Sequence, residues 1–150
     1  VVGAGDGGMA QVGGAHELLW PDTLGIMGWD VEDPGLGVIF DRAIPPFVEE
    51  RMAEGVAHIL ERIGIDRGAV DRFTCHPGGA KVIAALEQSL ELAHGTLDHE
   101  RRALRDYGNM SAPTVLFVLE RLLAAGMAGR TLLLALGPGF TASGLSLARP

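Results

Sequence analysis

The chain is short of cysteine, of basic residues and of long apolar runs, and each shortage excludes a class of protein. One cysteine in 150 residues excludes an internal disulfide and a cysteine-rich zinc site, and it fits a reducing cytoplasm. Lys and Arg number 12 against 19 Asp and Glu, so the net charge is -7 and nucleic acid is not an expected partner. No apolar run reaches the roughly 18 residues of a membrane helix. We expect a cytoplasmic protein without a membrane span.

The chain starts with Val1 and Val2, in an apolar segment, and shows neither an initiator methionine nor a signal peptide. We therefore expect it to be a piece of a longer protein. Its 150 residues suffice for one domain with a core, and 47% hydrophobic with 21% charged residues is ordinary for a globular chain. The 22 glycines and 8 prolines lie in short turns and form no low-complexity tract.

Predicted strands alternate with predicted helices. Short apolar runs predict strands at 38–40, 70–75, 131–136 and 144–149, and apolar residues at 3.6-residue spacing predict helices at 45–63, 80–93 and 115–123. A strand end at 1–4, turns at 5–14, irregular structure at 18–31 and a solvated polar stretch at 94–106 complete the prediction. The segment 131–136 is apolar almost throughout, which is typical of a central strand covered on both faces. The alternation favours a layered α/β domain.

Two polar motifs stand at the ends of apolar elements. His76 opens the sequence His-Pro-Gly-Gly at 76–79, after a predicted strand, and Asn109 lies in Gly-Asn-Met-Ser at 108–111, before a predicted helix. Both side chains can donate a hydrogen bond to a developing oxyanion, and an imidazole can also keep a nearby thiolate charged. Decarboxylative condensation of thioesters needs these groups together with a cysteine nucleophile.

Three segments in register resemble the C-terminal half of type III polyketide synthases, the chalcone and stilbene synthase family. They are the motifs at 76–79 and 108–111 and the sequence Gly137-Pro138-Gly139 after the apolar strand. The sequence Met-Gly-Trp-Asp-Val at 27–31 is similar to the bacterial branch. The resemblance implies a thiolase-like, layered α-β-α fold of which residues 1–150 form the C-terminal half only. The N-terminal half, which carries the catalytic cysteine, would be absent.

The resemblance also implies the roles of individual residues. In that family a cysteine of the first half carries the acyl chain, and His76 and Asn109 would polarise the thioester carbonyl and stabilise the enolate formed from malonyl-CoA. The substrates would be acyl-CoA and malonyl-CoA, with no cofactor and no metal, and the full-length protein would be a homodimer. Besides Val38, the residues matched to substrate binding are Ser111, Leu136, Gly137, Pro138 and Gly139.

Val38 marks a departure from the plant pattern. Plant chalcone synthases carry a phenylalanine at this place in the strand, where its ring narrows the passage between tunnel and cavity. The phenylalanine of the family's Gly-Phe-Gly-Pro-Gly loop is likewise replaced, by Leu136. A wider passage favours a long-chain acyl starter, as in alkylpyrone or alkylresorcinol synthases, over a flavonoid starter.

Several candidate residues also have a plain structural interpretation. His76 alone could be a hydrogen-bonded structural residue, and Asn109 or Ser111 could merely cap the following helix. Cys75 should face away from His76, because successive side chains of a strand point to opposite faces, so we expect it in the core and not as the nucleophile. The polar residues His94, His99, Glu87 and Glu91 do not match a metal-ligand spacing, and we expect them in solvent. We expect Trp20 and Trp29 to be packing residues and Glu49 and Glu50 to be solvated.

Two other functions remain open from the sequence. A fatty-acid-type ketoacyl-ACP synthase also uses histidine and asparagine, but that family typically has His-Gln-Ala-Asn where this chain has His-Pro-Gly-Gly. A non-catalytic truncated chain, or a partner subunit that packs against a catalytic half, is the alternative from another class. In either case we expect the 150-residue chain alone not to catalyse condensation.

Overall fold

A computed structural model describes residues 3–4 and 8–149 of the chain. The predicted strand end at 1–4 and the start of the turn-like segment at 5–14 lie partly outside the described residues. The elements, in chain order, are strands β1 (Gln11–Leu19), β2 (Met27–Val31) and β3 (Leu36–Phe40), helix α1 (Ile44–Arg62), strand β4 (Arg72–Cys75), helices α2 (Ala80–Ser89), α3 (Asp98–Tyr107) and α4 (Thr114–Ala124), and strands β5 (Gly129–Gly137) and β6 (Thr141–Arg149). A 3-10 turn at Arg67–Ala69 precedes β4.

Four strands form one mixed sheet in the order β1-β6-β5-β4. Strand β5 pairs with β4 in parallel and with β6 antiparallel, so it is central, as its apolar sequence predicts. Because β4 and β5 are parallel, their carboxyl ends lie at the same edge of the sheet. Those ends are followed by His76 and by the turn at 137–139, the two segments singled out from the sequence.

Helices cover both faces of the sheet. On one face, α1 and α2 pack over Leu132 and Leu134, and α1 contributes Val48, Met52, Val56 and Ile59, which repeat every three or four residues along one side. On the other face, Val115 of α4 packs on Leu133 and Leu147. The result is the three-layer α-β-α arrangement predicted from the sequence. No helix among residues 3–4 and 8–149 is long and apolar enough to cross a membrane.

A second, two-stranded sheet stands beside the turn at 137–139. Strands β2 and β3 form an antiparallel hairpin in which Trp29 pairs with Val38. The main-chain N–H of Gly139 donates to the carbonyl of Met27 at 2.8 Å. This bond joins the base of the hairpin to the turn that follows β5. Gly139 has a φ of +76°, a left-handed conformation that glycine adopts without a Cβ penalty.

The N-terminal part of the sequence-based prediction is wrong in several places. Residues 11–19 are a strand, β1, where the sequence predicts turns at 5–14. Among the described strands β1 pairs with β6 alone, at the edge of the main sheet. Residues 27–31 are a strand within the segment expected to be irregular. Trp20 packs against Phe47 and Phe140 as expected, but Trp29 is 56% exposed on the hairpin, so its predicted packing role within this chain is wrong.

The polar stretch at 94–106, for which the sequence predicts no helix, contains most of helix α3. Most of its residues are charged, and within it only Ala103 and a charged residue, Glu100, are fully buried, so the segment reads as polar in the sequence. Helix α2 ends at Ser89, shorter than predicted, because Glu91 adopts a positive φ of 55° and the chain turns away. The remaining helices and strands match the prediction to within a few residues at each end.

Candidate active site

His76 directly follows β4 and is held by its main chain. Its N–H donates to the carbonyl of Leu134 in β5 at 2.7 Å, and its carbonyl accepts from Gly78 at 3.0 Å. The residue is only 6% exposed, and burial lowers the pKa of its imidazole, so the ring is neutral at neutral pH. Within the described part of the chain, Nδ1 has no hydrogen-bond partner.

Asn109 lies in the loop between α3 and α4 and reaches the turn that follows His76. Its Nδ2 donates to the carbonyl of Gly78 at 3.0 Å, and its Oδ1 accepts from the N–H of Ser111 at 2.8 Å. A Cβ placed on Gly78 would lie 3.8 Å from Nε2 of His76. The imidazole and the carboxamide therefore flank the same glycine. A carboxamide nitrogen carries two hydrogens, so one N–H remains beyond the bond to Gly78.

The helix-capping interpretation of Asn109 and Ser111 is wrong. Helix α4 begins at Thr114, its N-cap residue is Pro113, and none of the side chains that the structure describes caps it. Thr114 Oγ1 instead closes the loop, because it accepts from the N–H of Met110 at 2.9 Å and lies 2.7 Å from the carbonyl of Ser111. Ser111 itself is exposed with a φ of +63°.

The turn formed by Gly137, Pro138 and Gly139 joins β5 to β6 at the edge of the sheet where His76 lies. Thr23 Oγ1 is 2.7 Å from the carbonyl of Gly139, and Thr141 Oγ1 donates to Pro138. Leu136, just before the turn, packs against the main core. The structure thus brings the turn, the hairpin base and His76 to one end of the sheet.

Val38 lies in the middle of β3, and its side chain is 49% exposed. Leu36 and Phe40, two residues away on either side, share its face and are also exposed. Its place in the substrate passage stays a prediction.

Cys75 is fully buried and packs in the core with α1 and α2, as predicted. Burial raises the pKa of its thiol well above the ordinary value, and the charge of Glu100 raises it further. The preceding residue, Thr74, points to the opposite face and bonds Thr131 at 2.7 Å. By the same alternation Cys75 faces away from His76. A buried, protonated thiol is a poor nucleophile, so Cys75 does not complete the site.

Two buried glutamates beside the site were missed from the sequence. Glu87 of α2 accepts hydrogen bonds from both terminal nitrogens of the Arg101 guanidinium, at 2.7 and 2.6 Å, and from the N–H of Leu97. These bonds, those from Arg101 above all, lower the pKa of Glu87 to about 2. Glu100 of α3 is fully buried and accepts the N–H of Cys75 at 3.0 Å. The prediction of a solvated Glu87 is therefore wrong, while Glu91 and His94 are exposed. Among residues 3–4 and 8–149 no group of three or more potential metal ligands occurs.

The fold and this arrangement define a thiolase-like α-β-α domain. The chain belongs to the chalcone and stilbene synthase family: the family model described as chalcone and stilbene synthases, C-terminal domain, matches residues 11–149. This confirms the resemblance inferred from the motifs, and with it the type III polyketide synthase family.

Curated relatives support the same assignment. The chain is 36% identical over 140 residues to a 1,3,6,8-tetrahydroxynaphthalene synthase of Streptomyces peucetius subsp. caesius, covering 90% of this chain and 37% of the relative. It is 38% identical over 130 residues to a putative chalcone synthase of Bacillus subtilis (strain 168), covering 85% of this chain and 36% of the relative. The chain therefore spans about a third of the length of the curated relatives it matches.

Solved structures confirm the thiolase-like fold. The 1,3,6,8-tetrahydroxynaphthalene synthase of Streptomyces coelicolor A3(2), a bacterial type III polyketide synthase, superposes with a TM-score of 0.83 at 28% identity, over 96% of this chain and 42% of that one. CsyB complexed with CoA-SH superposes with a TM-score of 0.82 at 24% identity, over 95% of this chain and 41% of that one.

Proposed function

We propose that this chain is the C-terminal half of a type III polyketide synthase that condenses malonyl-CoA onto an acyl-CoA starter by decarboxylation. The observation that carries the proposal is the bond from Asn109 to Gly78, which sets the carboxamide beside the turn that follows His76. Family membership and the span of about a third of the relatives' length support a second, cysteine-bearing half. The complete protein would be a cytoplasmic homodimer that uses CoA thioesters and no further cofactor.

In this mechanism His76 and Asn109 donate hydrogen bonds to the thioester carbonyl oxygen of malonyl-CoA. Loss of CO2 leaves the acetyl-CoA enolate, whose oxygen accepts hydrogen bonds from Nε2 of His76 and from the remaining N–H of Asn109. The enolate carbon then attacks the acyl thioester on the cysteine of the other half and expels the thiolate. A neutral imidazole with its proton on Nε2 can donate this bond, and the lowered pKa of His76 favours the neutral form. Asn109 donates at any pH because an amide does not titrate.

The test is malonyl-CoA decarboxylation by the two-half enzyme with Asn109→Ala and Asn109→Asp. Losing an oxyanion donor costs at least about tenfold in rate, so both variants should slow at least that much. Asn109→Asp keeps the acceptor for the N–H of Ser111, but its carboxylate can donate neither to Gly78 nor to an enolate. Normal decarboxylation by a folded Asn109→Asp enzyme would reduce Asn109 to a loop-forming residue.

For the starter we propose a long-chain acyl group, giving an alkylpyrone or alkylresorcinol. The support is Val38, which has no aromatic ring to narrow the passage. The similarity to a 1,3,6,8-tetrahydroxynaphthalene synthase favours a second candidate, a naphthalene-type aromatic product. Product analysis with malonyl-CoA alone and with added fatty acyl-CoA separates the two, because tetrahydroxynaphthalene from malonyl-CoA alone would contradict the long-chain proposal.

A further inference from the structure

The orientation of His76 depends on its main chain. Its Nδ1 is buried and has no hydrogen-bond partner among the described residues, so no side chain fixes the ring in the way that a carboxylate often fixes a catalytic imidazole. The bonds that hold the residue are main-chain ones, to Leu134 on one side and to Gly78 on the other. Whatever fixes the strand end at Cys75 and His76 therefore fixes the imidazole.

Glu100 holds that strand end from the opposite side. Strand β4 pairs with β5 alone among the described strands, so alternate N–H groups point to its free edge. The N–H of His76 points to β5, and the N–H of Cys75, one residue earlier, points away and donates to Oε1 of Glu100 at 3.0 Å. A carboxyl group of helix α3 therefore accepts the hydrogen bond that a neighbouring strand would otherwise accept on this side of β4.

This arrangement is a poor way to stabilise the fold. Glu100 is fully buried, and its second oxygen, Oε2, has no hydrogen-bond partner in the described part of the chain. The nearest cation, Arg72, lies 3.7 Å from Oε2 and uses the same nitrogen to bond Thr96. Burial raises the pKa of Glu100, although the bond from Cys75 and the charge of Arg72 oppose the shift. A buried carboxyl with a raised pKa stabilises the fold only below its ordinary pKa, and that contribution is lost as pH rises.

We infer that Glu100 is a positioning residue for His76, fixing the imidazole through the N–H of Cys75, and this inference rests on the proposed function. Glu87 supports it from α2: its bonds to Leu97 and Arg101 fix the first turn of α3, from which Glu100 projects. The expected signature is a residue whose loss reduces turnover more than it reduces stability.

Three substitutions separate the hydrogen bond from the charge. Glu100→Gln keeps an uncharged acceptor for the N–H of Cys75. Glu100→Asp keeps the carboxylate, but its side chain is too short to reach that N–H. Glu100→Met removes both the acceptor and the charge. We expect kcat for malonyl-CoA decarboxylation within about twofold of wild type in Glu100→Gln, and roughly tenfold lower in Glu100→Asp and Glu100→Met, since small misplacements of catalytic groups have effects of this size. KM should not change, because Glu100 is fully buried.

Two controls and one independent readout make the test decisive. Val56→Ala removes buried apolar atoms of α1 and lowers stability without removing a hydrogen bond of β4, and Glu120→Gln removes an exposed glutamate of α4; both should keep kcat. Amide hydrogen exchange at Cys75 should accelerate about tenfold in Glu100→Asp and Glu100→Met and stay slow in Glu100→Gln. Full turnover by Glu100→Met, or equal losses in Glu100→Gln and Glu100→Met, would overturn the inference. An inactive wild-type enzyme would instead overturn the proposed function itself.

Discussion

At the scale of single residues, burial decides which groups near the site are chemically active. Cys75 and His76 are neighbours, yet the thiol is fully buried in the core, where its pKa is raised. His76 is buried on the other face, where the same desolvation lowers the pKa of the imidazole. One effect therefore keeps both side chains neutral, and only the imidazole lies beside the carboxamide of Asn109 and the turn at 76–79.

The lowered pKa of His76 predicts how stability depends on pH. The unfolded chain takes up a proton at the ordinary imidazole pKa of about 6.5, whereas the folded chain takes it up only at lower pH. His76 therefore contributes stability above about pH 6.5 that is lost as pH falls through this range. We expect the free energy of unfolding to fall more between about pH 7.5 and pH 5.5 in the wild type than in His76→Gln, measured by urea denaturation. If the free energy of unfolding depended on pH in the same way in the wild type and in His76→Gln, the lowered pKa of His76 would be contradicted.

At the scale of elements, the connection from α2 to α3 is fixed by one ion pair. Glu87 and Arg101 form a bidentate pair with Glu87 almost fully buried, and Glu87 also accepts the N–H groups of Gly95 and Leu97. The pair thereby sets the start of α3, the helix that the sequence-based prediction missed.

Glu87→Gln should destabilise the fold by roughly 3 kcal/mol near pH 7, the lower end of the cost of breaking a buried ion pair, because Arg101 is partly exposed. The pKa of Glu87 is lowered to about 2, so its contribution is complete above its ordinary pKa. It should be lost as pH falls from that value toward 2. Asp98→Asn is the control: it lies 3.7 Å from Arg101 but is exposed, so its loss should cost under about 1 kcal/mol. Thermal denaturation across this pH range measures both variants.

The hairpin of β2 and β3 offers a matched test of the starter proposal. Val38 lies mid-strand, and Val31 pairs with Leu36 at the hairpin tip, away from the base that is tied to Gly139. Val38→Phe should reduce turnover of long-chain acyl-CoA starters at least several-fold more than that of acetyl-CoA, because a ring narrows the passage. Val31→Phe adds the same ring at the exposed tip, and the ratio of long-chain to acetyl-CoA turnover should stay unchanged even where contact with the other half is weakened. An identical starter profile for Val38→Phe would remove Val38 from the passage.

At the scale of the whole molecule, most of the large exposed apolar side chains lie on the β2–β3 hairpin and the segments beside it. Strand β5 is covered on both faces by helices of this chain, so it leaves no apolar face open. Most of the large exposed apolar residues of the described chain lie instead on the hairpin and the segments beside it: Leu19, Leu24, Trp29, Val31, Leu36, Val38 and Phe40. The others, Met9, Val12, Tyr107, Met110 and Leu116, are scattered over the rest of the surface. Surfaces of this kind mark interaction sites, and we propose that the cysteine-bearing half covers them.

This organisation predicts that the 150-residue chain alone forms no acyl-enzyme. After incubation with acyl-CoA and malonyl-CoA, intact-mass measurement should show the unmodified chain, because its one thiol is buried and protonated. Adding the cysteine-bearing half should restore condensation, and Cys75→Ala should leave the restored rate unchanged. An acyl adduct on Cys75 with release of polyketide would contradict the assignment of the nucleophile to the other half.

The sequence by itself determined the helices and strands with regular apolar spacing, and the motifs that identify the family. Helix α1 and strand β5 could be predicted because burial imposes a period of 3.6 residues on one and continuous apolarity on the other. The motif at 76–79 can also be recognised from the sequence, because its four residues are contiguous.

Only the tertiary structure decided which polar groups are buried and what they hold. Helix α3 and strand β1 carry few buried apolar residues, since one lies beside a sheet edge and the other forms an edge, so neither stands out as an apolar element in the sequence. In the sequence, Glu87 and Glu100 resemble solvated charges. In the structure they are buried, because Glu87 accepts hydrogen bonds from Arg101 and Glu100 accepts the N–H of Cys75. Hydrogen-bond partners 14 and 25 residues apart leave no local pattern, and so the support beneath His76 became visible only in three dimensions.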